Sequence, residues 1–429
     1  MPEEDLCDVV IIGGGPSGST IAALMADEGK NVVLLEKDKH PRFHIGESLL
    51  PRNLAIFERL GVLGEVAGMG VRKPGAEFVS DETGERVQFT FGKGLDTSFT
   101  HSYQVKRADF DQALFANAKR KGARTYELTA VLDVILGGGG VRPTVFAKSA
   151  DNRGLVFRPR LLIDASGRDA FLGRKFELIE ANKRQSTAAV FAHFRNLKNN
   201  GATAGYIAVH FATGGWFWMI PLPEGVCSVG FVGDAEVFKT RRGSLYDFLF
   251  ERIEESPSMR EQMKHADPVS EVFGTGNYSY CAKSSCGETY LMIGDAFAFI
   301  DPIFSTGVLL AMAGAEIGAD IALKWLEDPE TGFRLARKAE RRARRTMNRI
   351  RWFIDRINHP VLRDMFMAPS DRFKMRAGLI TLLAGNMRRS WRYTAPLVAF
   401  KSMFYVLSVA RRFGFRISAI AVPRVALEE

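Results

Sequence analysis

The sequence predicts an α/β fold: a parallel sheet wound with helices, an inserted antiparallel β-sheet region and a helical C-terminal region. Three observations predict it. A β-branched run, Asp8–Ile12, ends in the glycine turn Gly13–Gly18 and leads into a small, apolar stretch, Ser19–Glu28, that reads as a helix. Short alternating segments broken by glycine turns recur from Lys73 to about Thr100, and Thr187–Val232 is again rich in strands. From about Phe333 to Phe413 the chain reads as helical and basic. Its 429 residues exceed one small core and point to several layered units. With 46% hydrophobic and 25% charged residues, the composition excludes a disordered, collagen-like or polytopic membrane chain.

Taken in order, Asn31–Leu35 reads as a second strand that ends at Glu36, completing a βαβ start. Ala108–Lys121 reads as a helix. Leu128–Asp164 holds several strands, with Gly137–Gly140 as a hairpin turn rather than a second nucleotide site. Glu288–Ile293 is a strand entering Gly294–Asp295, and a long helix follows Ser305. The expected organisation is a nucleotide-binding domain from residues 1–72, 108–170 and 285–330. A β-sheet substrate domain takes residues 73–107 and 171–284, and residues 331–429 form the basic helical region.

Gly13, Gly15 and Gly18 fit G-x-G-x-x-G, placed between a strand and a helix, with Glu36 ending the next strand. Those glycines let backbone approach a pyrophosphate at a helix N-terminus, and a carboxylate at Glu36 can accept from a ribose hydroxyl. This is a Rossmann-type dinucleotide site. Two later segments, Arg107–Ala108–Asp109–Phe110–Asp111 and Gly294–Asp295–Ala296, resemble the R-x-x-F-D and G-D motifs of flavoprotein monooxygenases. That resemblance implies FAD, with Arg107 and Asp295 as contacts; Asp295 also reads as a helix N-cap.

Three strings narrow the family. Trp216–Phe217–Trp218–Met219–Ile220–Pro221 is W-x-W-x-I-P; Phe299–Gly307 fits F-x-x-P-x-x-S-x-G; His44–Pro51 contains Gly46–Glu47–Ser48. Together they resemble the signatures of flavin-dependent halogenases. The resemblance implies a two-component enzyme that takes reduced FAD from a separate flavin reductase and uses O2 with chloride or bromide. It places Gly46 on a flavin-side loop and the halide at the backbone N–H groups of Thr306 and Gly307. Trp216 and Trp218 would wall a tunnel for hypohalous acid, with Lys73 as the catalytic lysine at its end. Phe304 stands where tryptophan halogenases carry Glu, which implies the branch acting on phenols or carrier-tethered aromatic and pyrrole groups. That branch commonly has His where this chain has Leu309, and Pro74 after the lysine is a further departure.

The residues by themselves leave other readings open. Two tryptophans at i and i+2 share a strand face and serve as core packing elsewhere, and a lone lysine in a β region is ordinarily solvated. The same fold suits a non-halogenating flavin monooxygenase, a polyene or isoprenoid reductase, or a non-catalytic flavin-binding scaffold.

Charge divides the chain. Residues 331–429 carry 22 Lys and Arg against 6 Asp and Glu, whereas residues 1–330 carry 36 against 43. Arg337–Arg351 is densely basic, and Arg388, Arg389, Arg392, Lys401, Arg411 and Arg412 interleave with Trp391, Leu397, Phe400, Phe404 and Leu407. The tail reads as a surface for anionic lipid, as a dock for an acidic acyl-carrier protein, or as a helical lid. No recognised nucleic-acid module accompanies the charge. The apolar stretch Tyr393–Ala410 is interrupted by Lys401, so no spanning helix is expected. Cys7, Cys227, Cys281 and Cys286 have no metal-ligand spacing and read as reduced thiols. The acidic N-terminus lacks a signal-peptide pattern. These features predict a metal-free cytoplasmic enzyme, with the tail as its candidate contact to the inner membrane face.

Overall fold

A computed structural model of the chain describes residues 4–181, 187–198, 205–276, 279–386 and 390–413. Arg388, Arg389 and everything after Phe413 lie outside the described residues.

Burial of the β-branched first strand on both faces organises the first sheet. Glu4–Ile12 runs parallel to Gly154–Asp164 on one side and Val32–Leu35 on the other. Tyr290–Met292 and Arg124–Tyr126 extend the parallel set outward. Val9, Val10 and Ile11 are fully buried, as a parallel strand covered on both faces requires. Helix Pro16–Asp27 leaves the glycine turn and packs between helices Gly307–Glu327 and Arg107–Arg120. It starts at Pro16, three residues before the apolar stretch, because proline is pre-set for a helix's first turn. Ala130–Ile135, Thr144–Lys148 and Gly154–Asp164 form an antiparallel meander, with Gly138 bridging Val141 in the predicted hairpin turn.

The second sheet runs in the order Asp267–Pro268, Thr187–Arg195, Cys227–Asp234, Gly215–Pro221, Ile207–Ala212, Gly75–Ser80, Arg86–Thr90, with Phe273–Gly276 also on Thr187–Arg195. One pair departs from the antiparallel expectation: Ile207–Ala212 lies parallel to Gly75–Ser80. A parallel neighbour needs a crossover, and the chain supplies one by passing through the first sheet in between. Beside this sheet, Val71–Lys73 and Ser102–Gln104 make a two-stranded ribbon, to which Ser48 adds a bridge opposite Gln104.

The basic region folds as helices Pro329–Ile354, Pro360–Met367, Met375–Leu383 and Trp391–Arg412. It is not an appendage. A single apolar cluster contains Val9 of the first sheet, Phe78 of the second, and Leu379 and Phe400 of the tail. Phe366, fully buried, is its hub: its ring meets Phe78 at 4.8 Å, Phe89 at 5.8 Å, Phe400 at 6.3 Å and Phe304 at 6.4 Å. One sequence expectation needs correction. Despite Lys401, Trp391–Arg412 is long and apolar enough to cross a membrane by length and composition. It is nonetheless fastened to the body by Pro396, Phe400, Phe404 and Leu407, with the Lys401 ammonium turned over the Trp352 ring at 4.7 Å.

Truncating the hub tests whether the tail is structural. Phe366→Ala is expected to cost about 3–5 kcal/mol, the range for emptying a buried aromatic site. Urea denaturation followed by circular dichroism reads this as a lower midpoint in a single transition; an unchanged midpoint, or early separate loss of helix, contradicts the shared core.

Candidate active site

A cavity of about 390 Å³ opens at the glycine turn and runs to the second sheet. Gly13, Gly15, Glu36, Gly46, Arg107, Asp295, Trp216, Trp218 and Gly307 all line it. Segments far apart in the chain thus converge on one space.

The three signature glycines are needed for different reasons. Gly13 sits at φ +98°, and a Cβ there would stand 2.6 Å from the Ala165 carbonyl oxygen. A Cβ on Gly18 would stand 1.8 Å from the Gly13 carbonyl oxygen, so Gly18 lets the helix close on the turn and lies behind the cavity. Gly15 differs: a Cβ there would meet only Arg42 Nη2, at 3.8 Å. Protein packing does not demand this glycine. A ligand approaching the backbone does, and this open cradle at a helix N-terminus fits the pyrophosphate of FAD. Glu36, buried at the next strand's end, accepts from the backbone N–H groups of Gly14 at 2.7 Å and Asp38 at 2.9 Å, and pairs with Arg42 at 3.3 Å. A carboxylate has about four acceptor sites, so it retains capacity for a ribose hydroxyl.

Arg107 and Asp295 both line the cavity, within electrostatic reach of each other. Arg107 donates to both Asp111 oxygens, at 2.8 and 2.9 Å, and to the Ile45 carbonyl at 2.7 Å. Gly46, at φ +110°, carries no side chain because a Cβ would lie 2.9 Å from Arg107 Nη1. Burial pushes the Asp295 carboxyl up to about 6, opposed by Arg107 and Arg168. The Arg107 charge, aided by burial, lowers His44 to about 4, so this cavity-lining imidazole is neutral.

Strand Gly215–Pro221 forms the far wall. Trp216 and Trp218, 6.1 Å apart, are both buried, and Phe191 packs beside Trp218 at 5.7 Å. Thr306 caps helix Gly307–Glu327, its buried Oγ1 without a partner, and the first-turn N–H groups have no intrahelical acceptor. Gly307 borders the cavity, whereas the Thr306 side chain lies beneath the surface.

Lys73 is not a cavity residue and not a solvated lysine. It is 1% exposed, its Nζ donates to the Leu49 carbonyl at 3.0 Å, and the Phe91 ring lies 5.4 Å away. Burial alone lowers its ammonium to about 7. Ladder register places Ser102 directly opposite Lys73 and Ser48 opposite Gln104. With period-2 alternation, Lys73, Ser102, Gln104 and Ser48 therefore share one face of the ribbon. Ser48 Oγ, Ser102 Oγ and Gln104 Oε1 are buried without a partner, and Ser48 borders the cavity. A polar strip thus leads from the cavity wall to the lysine.

Several site residues escape sequence reasoning. Glu47 is 1% exposed; its Oε1 bonds His193 Nε2 at 2.8 Å while Oε2 has no partner. Glu47 lies inside the recognised Gly46–Ser48 string, but His193 belongs to no motif. Arg168, next to Gly167 after the strand ending at Asp164, contacts Thr275 and Gly276. Arg42, on Glu36, follows no pattern at all.

Residues 6–315 match the FAD binding domain family. The chain is 31% identical over 339 residues to a 1H-pyrrole-2-carbonyl-(peptidyl-carrier protein) chlorinase of Pseudomonas fluorescens, spanning 73% of this chain and 74% of that one. Among solved structures, a flavoprotein/dehydrogenase of Cytophaga hutchinsonii superposes with TM-score 0.85 at 26% identity, covering 95% of this chain and 100% of that one. A flavin-dependent brominase, crystallised as a triple mutant, superposes with TM-score 0.80 at 26% identity, covering 92% and 98%. The extent of these matches, added to a cavity that runs from the glycine turn to the W-x-W-x-I-P strand, leads to one assignment: the chain belongs to the flavin-dependent halogenases and is an FAD enzyme.

Proposed function

We propose that the enzyme halogenates an electron-rich aromatic or pyrrole group presented on an acyl-carrier arm, using chloride or bromide and reduced FAD delivered by a separate flavin reductase. The observation that carries this reading is Lys73: a buried amine with a single backbone acceptor, held close to neutrality, one polar strip away from the flavin cavity. Bound FAD, once reduced, would supply two electrons that, together with two from the halide, reduce O2 to water and hypohalous acid. The chain's residues do the rest. Gly13 and Gly15 receive the pyrophosphate, Glu36 the ribose, and Arg107 and Asp295 the ribityl side. The free N–H groups of Thr306 and Gly307 hold the halide at a helix N-terminus, where the dipole favours an anion. Trp216 and Trp218 keep the organic substrate off the flavin. A neutral Lys73 Nζ takes the halogen: the N–X bond forms, the O–X bond breaks, and water leaves. Attack by the substrate carbon then forms C–X, breaks N–X, and returns the ring proton to the amine.

Carrier presentation is favoured over a free amino acid on two grounds. The chlorinase relative acts on a carrier-bound pyrrole. Phe304, stacked at 6.4 Å on Phe366 and facing Phe353, leaves an apolar position with no carboxylate to bind an ammonium. Electron supply from a separate protein is consistent with a sequence that has one G-x-G-x-x-G turn.

The decisive assay combines the FAD-loaded enzyme with a flavin reductase, NADH, O2 and bromide, and follows halogenated product by mass spectrometry. Lys73→Ala and Lys73→Arg are expected to lose at least ~100-fold in product formation with FAD binding intact, because neither offers a neutral amine. Wild-type kcat/KM should rise as pH passes about 7, where the amine loses its proton. Product at wild-type rates in Lys73→Ala rejects the lysine; halide-independent hydroxylation rejects halogenation in favour of a flavin monooxygenase, and hydride transfer from NADPH to the flavin without the separate reductase rejects it in favour of a polyene or isoprenoid reductase.

The same lysine has a stability signature. Its native-state value lies below the unfolded 10.5, so between about 7 and 10.5 the unfolded chain binds more protons. Stability gains from this group as pH rises through that window. Lys73→Met should therefore stabilise more at pH 6 than at pH 9, read as melting temperature; equal shifts at both pH values contradict a desolvated ammonium. For the substrate, kcat/KM for a carrier-tethered pyrrole should exceed that for the free acid by roughly tenfold or more, since remote contacts contribute to the transition state.

A further inference from the structure

Helix Trp391–Arg412 has one face on the body, and among the described residues nothing packs on the opposite face. Pro396, Phe400, Phe404 and Leu407 are buried. Trp391 (82% exposed), Val398, Val406 and Val409 are exposed, Tyr405 is exposed along its ring while its hydroxyl accepts from Trp352 Nε1 at 3.0 Å, and Phe413 continues the stripe at the helix end. At about 100° per residue these exposed apolar positions fall within an arc of roughly 100°, directly opposite the buried four. Arg412 and Arg392, the latter also donating to the Leu95 carbonyl at 2.7 Å, flank that arc. Lys401, midway along the helix, is withdrawn over the Trp352 and Phe353 rings, so it does not interrupt the stripe. Arg411 pairs with Asp364 on the body at 3.1 Å. The turn packed beside the helix adds exposed Phe373, itself at φ 53°, between exposed Arg372 and Lys374. From Arg372 to Leu427 the sequence contains eleven Lys and Arg and no Asp or Glu.

We propose that this face docks flat on an anionic lipid surface, with the stripe from Trp391 to Phe413 entering the headgroup boundary and the arginines at its edges holding lipid phosphates. Apolar contact and charge together define an interfacial helix, and neither alone would hold the protein there. Lipid fits better than the other occupants. A second copy would set cation against cation, since a two-fold contact pairs a patch with itself. An acidic protein would satisfy the arginines but not an apolar stripe about 33 Å long. Spanning is excluded because the helix is fastened sideways to the body along its length. The inference concerns how the enzyme is placed and does not rest on which reaction it performs.

The test uses the FAD-loaded full chain and vesicles of phosphatidylcholine with or without phosphatidylglycerol. The wild type should co-sediment with the mixed vesicles, much less with phosphatidylcholine alone, and be released as salt rises. Val398→Glu/Val406→Glu/Val409→Glu, all at exposed positions, should lower binding at least about tenfold at unchanged melting temperature and FAD content. Arg392→Gln/Arg412→Gln should remove most of the dependence on phosphatidylglycerol. Failure to sediment at low salt overturns the proposal, as does undiminished binding by the triple Glu variant. Self-association lost in that variant, or capture of an acidic carrier protein, in either case without vesicle binding, also overturns it.

Discussion

A buried guanidinium keeps its proton and cannot be left unpaired, and much of this site is arranged around that demand at Arg107. Asp111, one helical turn on, satisfies two of its N–H groups, and the Ile45 carbonyl satisfies a third. The third bond fixes a loop rather than a residue. Gly46 passes close enough to Nη1 that no side chain fits, Glu47 reaches across to His193 on the second sheet, and Ser48 and Leu49 carry the loop from the cavity wall to the acceptor of Lys73. The same charge keeps His44 neutral and restrains the rise in Asp295. One cation thus sets both the position of the loop joining two parts of the site and the protonation of the groups around the flavin cavity.

Desolvation is the second organising force, and it moves the two important titrating groups in opposite directions. It raises Asp295 and lowers Lys73, because each neutral form is the one that tolerates low dielectric. The difference lies in the compensation. Asp295 keeps Arg107 and Arg168 within electrostatic reach, so its anion is partly restored. Lys73 has a carbonyl and an aromatic ring and, among the described residues, no opposing charge. The three orphaned oxygens on its ribbon face are costly inside a protein unless something polar visits them. Water or a small polar electrophile would meet that requirement.

The parts of this architecture that show in the sequence are those made by local chain geometry. Gly13, Gly15, Gly18 and Glu36 form a turn between neighbouring strands, so their spacing alone conveys their purpose. Trp216 and Trp218 take one strand face by simple alternation. Lys73 could be located by motif, but its burial could not, because the groups that meet it, the Leu49 carbonyl and the Phe91 ring, come from other segments of the chain. Glu47 and His193 are 146 residues apart, joined by a sheet-to-loop contact with no sequence signature. The parallel pairing of Ile207–Ala212 with Gly75–Ser80 is hidden for the same reason: its register depends on what the chain does elsewhere. Lys401 misleads in the other direction. It reads as a charge inside an apolar run, yet tertiary packing withdraws it from the face it seemed to interrupt.

The charge split between body and tail gains meaning from this packing. Were the basic helices a separate module, their charge would bear on solubility and little else. Phe366 and Phe400 instead tie them to Phe78, Phe89 and Phe304, so the inner side of the tail is wall to the interior while the outer side holds exposed apolar and cationic groups. Anything that binds the outer face of Trp391–Arg412 works on a helix whose inner residues are one ring away from Phe366 and two from Phe304, at the start of the helix proposed to hold the halide. Close-packed aromatic layers shift as units rather than yield continuously. The tail is therefore part of the packed shell around the site, even though, among the described residues, it contributes none to the flavin cavity.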